Sequence, residues 1–311
     1  MLRNTLLLVM LLGTLSSCEK EIEYKGKELN NFLVLNAKLT EGETIRIELT
    51  RSNTIFENKA IKTIGDADVQ LFIDGEYVET LQAYNFFKDA PNYNQEHYSG
   101  EAYYYLYNTE SVKAGSTYTI KIKHSDYNDI SASTQVPSKA DAWIKNIESE
   151  NGNLNYTVAI KDEPGKNFYR LRVKGCYDYQ TINGVNETGC TYLGYHSVST
   201  KDPVLSFNRI IDEDSFTDYP DNVYLLFDDE LFDGETYELK FSIRGEKTDD
   251  ADIEIIQLDE NLYRYYNTVQ MRDYYEDYAF SEPVRVYSNI KGGAGVLGSN
   301  NSHLMTLENH N

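Results

Sequence analysis

Apolar and polar residues alternate over several short stretches in the first half of the chain. Residues 44–49 carry an apolar side chain at every second position, and residues 118–122 repeat this pattern. A period of two places alternate side chains on one face of a strand, so each stretch predicts a half-buried β-strand. Asp74-Gly75 follows another apolar run and is typical of a hairpin turn. Several short strands separated by turns predict an N-terminal β-sandwich over residues 32–137.

The strand pattern resumes after a predicted domain boundary at residues 138–142. Residues 154–160 alternate again, and a Glu-Pro-Gly turn at residues 163–165 follows them. This succession resembles the first strands of a fibronectin type III or immunoglobulin-like sandwich. We therefore predict a C-terminal β-sandwich over residues 143–298 and a tail over residues 299–311.

One segment near the C-terminus has helical periodicity instead. Leu262, Tyr266 and Val269 fall at helical spacing, and Asp259 is a residue type that caps helix N-termini. We predict a helix over residues 259–276, packed on the second sandwich. The predicted fold class is therefore mainly β, with two immunoglobulin-like or fibronectin-like sandwich units and one short helix near the C-terminus.

Tyrosines on this helix form a candidate partner surface. Tyrosine is enriched at protein interfaces because its ring is apolar and its hydroxyl is polar. The candidate residues are Tyr265, Tyr266, Tyr274 and Tyr275. The alternative, that most of the tyrosines fill the faces of the sandwiches, stays open on the sequence.

Composition agrees with an all-β fold and limits the classes of partner. The 311 residues include 27 tyrosines, a residue type that favours strands. The formal net charge is −21, from 29 basic and 50 acidic residues, and this charge repels nucleic acids and anionic lipid head groups. We therefore expect a folded, acidic protein that binds no nucleic acid.

The N-terminus has the pattern of an exported lipoprotein. Arg3 precedes an apolar run at residues 6–12 that is too short to span a bilayer. The Leu-Ser-Ser-Cys sequence that ends at Cys18 resembles the bacterial lipobox, whose cysteine is acylated and becomes the new N-terminus. We predict a signal peptide over residues 1–17 and a lipid on Cys18 that contacts the bilayer. An ordinary secretory signal with a chance cysteine is the alternative.

Residues 18–31 are polar and are predicted to form a tether between the lipid and the first strand. Glu19, Glu21 and Glu23 follow the cysteine closely. Acidic residues at this place are similar to the surface-export signal of Bacteroidota lipoproteins, although a solvated linker would have the same composition. The predicted location is the outer membrane, with a lipid anchor and exposure at the cell surface.

Two further cysteines, Cys176 and Cys190, flank a loop that contains two turn-forming pairs ending in glycine. An even pair in an exported chain favours a disulfide. Such a bond would close a hairpin and stabilise the fold by about 3 kcal/mol. Two free thiols are the alternative.

Candidate chemistry is sparse. Carboxylate-rich loops can hold Ca²⁺, and Asp228, Asp229 and Asp233 are the best metal candidates. No acidic cluster has the spacing of a calcium loop, so solvated acidic loops are the favoured interpretation. The five histidines are scattered and no hydrolase motif occurs, and the glycine-rich segment at residues 292–298 lacks the Lys-Ser/Thr of a phosphate loop. We therefore predict a non-enzymatic protein without catalytic residues or cofactors, and we expect these glycines in turns.

Short segments spread over nearly the whole mature chain carry a family resemblance. They are Leu33-Val34-Leu35-Asn36-Ala37, Val136-Pro137, Asp162-Glu163-Pro164-Gly165, Asn167-Phe168-Tyr169, Phe227-Asp228-Asp229, Leu231-Phe232-Asp233-Gly234, Glu282-Pro283-Val284, Ser288-Asn289-Ile290 and the segment at 292–298. In this order and spacing they resemble an uncharacterised family of Bacteroidota outer-membrane lipoproteins, which is defined only as a domain of unknown function. Members tend to be encoded near TonB-dependent outer-membrane receptors. The resemblance implies an accessory role in uptake and supplies no catalytic residues.

These features together predict a lipid-anchored, non-catalytic accessory or binding protein of the outer membrane, associated with a TonB-dependent uptake system. The expected partners are the lipid bilayer and a TonB-dependent receptor. A structural or adhesive surface protein is the first alternative, and a surface hydrolase is the second.

Overall fold

The computed structural model describes residues 31–53, 61–85, 103–181, 188–206, 225–244, 251–276 and 282–306. For the described residues between 176 and 195, the description is limited to the backbone. Residues Asn31–Asn311 form one compact unit. The predicted signal peptide, Cys18 with its predicted lipid and most of the predicted tether lie outside the described residues.

Strands dominate the described residues. They are β1 (Leu33–Thr40), β2 (Ile45–Arg51), β3 (Asp68–Ile73), β4 (Glu76–Asn85), β5 (Tyr103–Tyr107), β6 (Thr117–Lys123), β7 (Ile130–Gln135), β8 (Asp141–Glu150), β9 (Asn153–Lys161), β10 (Phe168–Thr181), β11 (Thr188–Tyr195), β12 (Val198–Ser199), β13 (Leu225–Asp228), β14 (Thr236–Arg244), β15 (Asp252–Leu258) and β16 (Ala294–Met305). The helices are α1 (Pro203–Ser206) and α2 (Glu260–Glu276). Within these ranges, no helix combines the length and the apolar character that a membrane crossing requires.

The strands belong to two sheets. The larger has the order β11-β10-β15-β16-β1-β2-β5-β4-β3-β6-β7, with β13 also paired to β10, and the smaller has the order β12-β14-β9-β8. Most neighbours are antiparallel, but β1 and β16 are parallel. The mainly β fold class with a helix near the C-terminus is therefore confirmed.

The first hydrophobic core forms from the alternating strands near the N-terminus. In β2 the side chains of Ile45, Ile47 and Leu49 are fully buried, whereas Arg46 and Glu48 between them are exposed. This is the period-two burial that the sequence predicts. The core takes its other residues mainly from β1 and β3–β7. Each fully buried aliphatic side chain stabilises the fold by about 1.5–3 kcal/mol.

The second hydrophobic core lies between the four-stranded sheet and the strands β10, β13 and β15. Val158 and Leu239 from the four-stranded sheet are fully buried in it, and the rings of Tyr156 and Phe241 stack with centroids 5.3 Å apart. Two sheets that share one apolar interior constitute a sandwich.

Strand β16 belongs to both halves of the molecule. Residues 294–300 pair with β1, and residues 300–305 pair with β15. Leu297 is buried in the first core and Met305 in the second. The two halves are therefore joined by a continuous sheet as well as by the chain that runs from β7 to β8.

The course of β16 corrects two expectations from the sequence. Residues 299–305, assigned to the tail, continue the strand, and Gly295 and Gly298, expected in turns, lie inside it. Polar residues such as Asn301, which is 3% exposed, conceal the strand pattern. The Asn301 side chain donates a hydrogen bond to the carbonyl oxygen of Pro137 at 3.2 Å. This partner is distant in sequence, so no local pattern reveals that the segment is buried.

Helix α2 begins where the sequence predicts. The Oδ1 atom of Asp259 accepts the N–H of Leu262 at 3.0 Å, which satisfies one free donor of the first turn. Leu262 and Tyr263 are buried, and the Tyr263 ring stacks on Phe168 with centroids 4.5 Å apart. Towards its C-terminal end the helix is exposed around Met271.

Candidate functional site

The two cysteines lie on neighbouring strands. In the antiparallel pairing of β10 and β11, Cys176 faces Leu193 and Cys190 faces Tyr179. The cysteines are thus offset by three residues, roughly 10 Å along the strands. Because a disulfide requires Cα atoms within about 7 Å, this register does not favour the bond. The disulfide stays a prediction.

The four candidate tyrosines of α2 do not share one environment. Tyr266 packs against the apolar cluster under the helix, and the Arg170 guanidinium lies 5.7 Å from its ring centre. Tyr265 is half-buried. Tyr274 is exposed and its ring meets Tyr275 edge-on, with centroids 5.1 Å apart. The partner surface stays a prediction, and only its C-terminal end faces solvent.

Two loops of the second sandwich bring three aspartates together. Asp162 follows β9, whereas Asp229 and Asp233 lie between β13 and β14. One carboxylate oxygen from each residue lies within 4.8 Å of those of the other two. This group is named the carboxylate clasp.

The clasp differs from the metal candidates of the sequence because Asp162 replaces Asp228. Along β13, successive side chains face opposite sides. Phe227 and Asp229 are 0% and 3% exposed, so they face the interior, and Asp228 between them faces the other way. Asp162 comes from a different loop, and sequence spacing gives no sign that it joins Asp229 and Asp233.

The clasp fastens one loop to the other through hydrogen bonds. Asp162 accepts the Gly234 N–H at 2.8 Å. Asp229 accepts the Asn167 N–H at 2.7 Å, and Asp233 accepts the Gly165 N–H at 2.9 Å. The Tyr169 hydroxyl also donates to Asp162, at 2.5 Å. Each carboxylate therefore satisfies a backbone donor in a loop, where regular strand partners are lacking.

Burial raises the pKa of the two inner carboxyls of the clasp. Asp162 and Asp229 are 4% and 3% exposed, and removal from water disfavours the charged form. The hydrogen bonds to each carboxylate oppose this effect without cancelling it. The negative charge of Asp233 raises the pKa of Asp162 further, and the negative charge of Asp162 raises the pKa of Asp229 further.

Glu254 on β15 is a buried carboxylate whose pKa is lowered, in contrast to the two inner carboxyls of the clasp. Burial by itself would raise its pKa, but the hydrogen bond from Ser302 and the charges of Arg172 and Lys174 lower it on balance. The Arg172 Nε atom lies 2.6 Å from its carboxylate and the Lys174 Nζ atom 3.6 Å. Within the described part of the chain, the clasp has no such ion pair, so its negative charge is compensated only by hydrogen bonds.

The clasp could therefore act in two ways. Carboxylate oxygens are the ligands that Ca²⁺ prefers, so a cation could sit among them. The hydrogen bonds favour a structural role, because every carboxylate already binds the opposite loop. The metal site stays a prediction, and the structural role is the one that the contacts describe.

The segments that carry the family resemblance meet in space. The pieces at 162–165, 167–169, 227–229 and 231–234 build the clasp. The pieces at 33–37 and 292–298 form the parallel pair of β1 and β16 with the turn before it. These segments therefore coincide with two structural junctions.

The raised pKa values predict that mild acid stabilises the protein. Protons bind more strongly to Asp162 in the folded than in the unfolded chain, so its contribution to stability is complete below the unfolded pKa and is lost as pH rises through the folded pKa. We expect the melting temperature to rise as pH falls from neutral towards the unfolded pKa of an aspartate, and Asp162→Asn to reduce this slope. Thermal unfolding at several pH values measures it.

Asp141→Asn is the matched control for this experiment. Asp141 lies on β8 with its side chain 62% exposed, 4.0 Å from Lys161, so its replacement should leave the slope unchanged. Equal slopes for the wild type and the Asp162→Asn variant would contradict the assignment of a raised pKa to the clasp.

A second feature is an open groove of about 860 Å³ on the outer face of the four-stranded sheet, a size typical of small-molecule sites. Strands β8, β9 and β14 form its floor, and residues 199–203 form one wall. The inner face of this sheet carries apolar side chains of the second core, so polar residues remain for the outer face. Asn146, Thr157 and Lys240 lie side by side across the floor. This feature is named the polar groove.

Asp202 fixes the wall of the polar groove to the sheet. Its carboxylate, on a residue that is 7% exposed, accepts the Tyr237 hydroxyl at 2.7 Å and the Lys240 N–H at 2.9 Å. The Thr200 hydroxyl donates to the Lys240 carbonyl oxygen at 2.7 Å. Burial, and then the neighbouring Asp202, raise the pKa of the Tyr237 hydroxyl, which stays protonated and donates. The wall is thus bound to the sheet edge at three points.

The charges of the polar groove balance one another. Its lining contains three lysines and three carboxylates, which are Lys145, Lys201, Lys240, Glu148, Asp202 and Glu238. Lys145 and Glu238 form an ion pair across the floor. The whole chain has a net charge of −21, so the groove is a neutral region on an acidic protein.

Trp143 lies beside the groove on the edge strand β8. It is the single tryptophan of the chain and is 44% exposed. In the strand register it faces Ala159, which is on the outer face but only 2% exposed. Trp143 is two residues before Lys145, so a large aromatic surface borders the polar floor.

Sequence reasoning did not identify the polar groove. The available signals were the single Trp143 and the alternation at residues 154–160. Every half-exposed strand has such a polar face, so alternation does not distinguish a groove from an ordinary solvated surface. The groove is recognisable only from the position of the wall residues 199–203 beside the sheet.

A family model described as "Domain of unknown function (DUF4249)" matches residues 19–303. No curated protein matches the chain significantly.

Proposed function

We propose that this chain, which belongs to the DUF4249 family of unknown function, is a lipid-anchored, non-catalytic binding protein of the bacterial outer membrane that assists a TonB-dependent uptake system. The observation that carries the proposal is the position of the family match, which begins at residue 19, directly after Cys18. An acylated cysteine would become the first residue of the mature protein, so the family domain would start next to its anchor.

The geometry of the first strand supports an anchored arrangement. β1 begins at Leu33, so the 14 residues at 19–32 lie between Cys18 and the fold. Fully extended, they could span at most about 50 Å.

The environment of the buried carboxylates supports the non-catalytic part of the proposal. A general acid or base must reach a substrate, whereas Asp162 and Asp229 are buried and hold loop backbone. Asp259, also with a raised pKa, caps helix α2 and binds the N–H of Ser299. These acids have raised pKa values because they are buried at structural junctions.

The anchor is tested by Cys18→Ala. We expect the wild-type chain to be recovered in the outer-membrane fraction with an acylated N-terminal residue, and the variant to lack the lipid and leave that fraction. Mass spectrometry of the mature N-terminus and membrane fractionation measure the two effects. Cys176→Ala is the matched control, since this cysteine lies on β10 within the folded domain. An unacylated wild-type N-terminus would refute the anchor.

Association with a receptor needs a separate test. A C-terminally tagged chain, cross-linked in its native cells and purified in mild detergent, should recover a TonB-dependent receptor. The Cys18→Ala variant is the control for recovery that depends on the membrane. If only cell-surface polymers or other copies of the chain are recovered, the structural or adhesive alternative replaces the uptake role.

A further inference from the structure

We infer that the polar groove, with Trp143 at its border, is a binding site for neutral oligosaccharides. This inference deepens the proposed function, because it names a ligand class for the binding protein. It is carried by three properties of the groove: a floor of hydrogen-bonding side chains, an exposed indole on the same face, and balanced charge.

The floor offers hydrogen bonds in a regular array. The strand registers place Asn146 opposite Thr157 and Thr157 opposite Lys240, and the next row contains Asn155 opposite Ser242. The outer face from Asn155 to Ala159 extends over about 13 Å, the length of a short oligosaccharide. Amide, hydroxyl and ammonium groups at strand spacing suit a ligand with hydroxyls along its whole length.

Trp143 supplies the complementary apolar surface. A sugar ring presents C–H groups on one face and hydroxyls at its edge, so it binds best where an aromatic ring adjoins polar side chains. Trp143 is 44% exposed on β8 and lies on the outer face with Asn146. A chain of sugar rings could therefore stack on the indole and continue over the groove floor.

Charge selects a neutral ligand. The three lysines of the groove are matched by three carboxylates, and Lys145 is already paired with Glu238. An acidic polysaccharide would also meet the field of a chain with a net charge of −21. A strongly cationic ligand would meet the groove lysines. Neutral oligosaccharides avoid both costs.

The wall adds a further observation. The Oγ atom of Ser199, at the edge of the same groove, is buried and has no hydrogen-bond partner among the described residues. An unsatisfied buried hydroxyl is unfavourable, and a ligand hydroxyl would supply a partner after a rotation of the serine side chain. The wall is otherwise fixed by Asp202, so the groove is largely formed before a ligand binds.

The single tryptophan makes a direct experiment available. The full chain, purified in a detergent without a sugar head group, is titrated with gluco-, xylo- and manno-hexasaccharides of neutral charge and with oligogalacturonate as the acidic probe. Trp143 fluorescence and isothermal titration calorimetry report binding. We expect at least one neutral probe to shift the tryptophan emission and to bind at least about tenfold more tightly than oligogalacturonate.

Two variants and one control locate the site. Trp143→Ala should weaken the calorimetric affinity at least about tenfold, and Thr157→Val, which removes one floor hydroxyl, should weaken it several-fold. Tyr77→Ala is the matched control, because Tyr77 is an aromatic residue, 55% exposed, on β4 in the first half of the molecule. Circular dichroism and melting temperature establish that each variant is folded. If Trp143→Ala does not fold, the affinity of Thr157→Val decides the question.

The inference is overturned if the folded wild-type chain binds none of the neutral probes, or binds oligogalacturonate more tightly. It is also overturned if Thr157→Val and Trp143→Ala bind as the wild type does. These outcomes leave the Cys18 anchor untouched, since acylation is measured independently. Conversely, an unacylated N-terminus would not change the affinity of the groove.

Discussion

Replacement of Gly295 by alanine is expected to lower the free energy of unfolding by about 4 kcal/mol. Gly295 has a φ of +105°, which a residue with a Cβ atom rarely adopts. A Cβ atom at this place would lie 2.0 Å from the carbonyl oxygen of Leu35 in the parallel neighbour β1. That oxygen belongs to the backbone of a buried strand, so one of the two strands must move. Urea unfolding followed by circular dichroism measures the change.

Gly42→Ala separates the two causes of this effect. Gly42, in the turn between β1 and β2, has a φ of +81° but no atom within 4 Å of the place of a Cβ. Its replacement should cost only the backbone strain, about 1–2 kcal/mol. If Gly295→Ala costs no more than Gly42→Ala, the close parallel approach of β16 to β1 is wrong.

Replacement of Asp259 by alanine should cost about as much, roughly 4 kcal/mol. The carboxylate accepts the N–H groups of Leu262 and Ser299 at 3.0 and 2.9 Å, and the Thr134 hydroxyl at 2.8 Å. These donors belong to α2, β16 and β7. Alanine removes the helix cap and leaves buried donors without an acceptor. Urea unfolding gives the loss in stability, and the helical circular dichroism signal reports on α2.

Asp259→Asn distinguishes lost hydrogen bonds from lost charge. Asparagine keeps one oxygen for the two N–H groups, and its amide can donate to the Thr134 hydroxyl, which then donates to Ser299. Because burial raises the pKa of Asp259, the charge itself does not stabilise the site, so the asparagine variant should lose at most half as much stability as the alanine variant. Asp233→Ala, which removes one exposed hydrogen bond, should cost only about 1 kcal/mol. Equal losses for asparagine and alanine would contradict this account.

These two residues explain why the halves of the molecule form one unit. Gly295 lets β16 approach β1, and Asp259 binds β16, β7 and the start of α2. Gly298 acts at the same junction, because a Cβ atom there would lie 2.7 Å from the Cβ of Leu262. The last strand, the first strand and the helix therefore depend on one another, although they are distant in sequence.

The carboxylate clasp shows how many residues of a site sequence motifs can identify. Asp229 and Asp233 were recognisable because they lie in segments that carry the family resemblance. Asp162 was not, because it comes from another loop and acquires its place only when β9 and β14 pair. The polar groove was missed for the same reason, since its wall and its floor come from separate segments.

The sequence by itself determined the mainly β class of fold, most strands of both halves and the helix with its Asp259 cap. These features depend on side-chain periodicity and on local capping, which neighbouring residues are sufficient to specify. It also supplied the prediction of a lipid on Cys18, which depends on a local processing signal.

The tertiary structure alone decided the course of β16, the membership of the clasp and the existence of the polar groove. Ser299 and Asn301 have no apolar pattern, and they are buried only because Gln135 and Pro137 accept their hydrogen bonds. Parallel pairing of the first and last strands leaves no local signal except glycines, which are equally typical of turns. A sequence pattern specifies which face of a strand is buried, whereas the partner that buries a polar face is set by contacts between segments far apart in the chain.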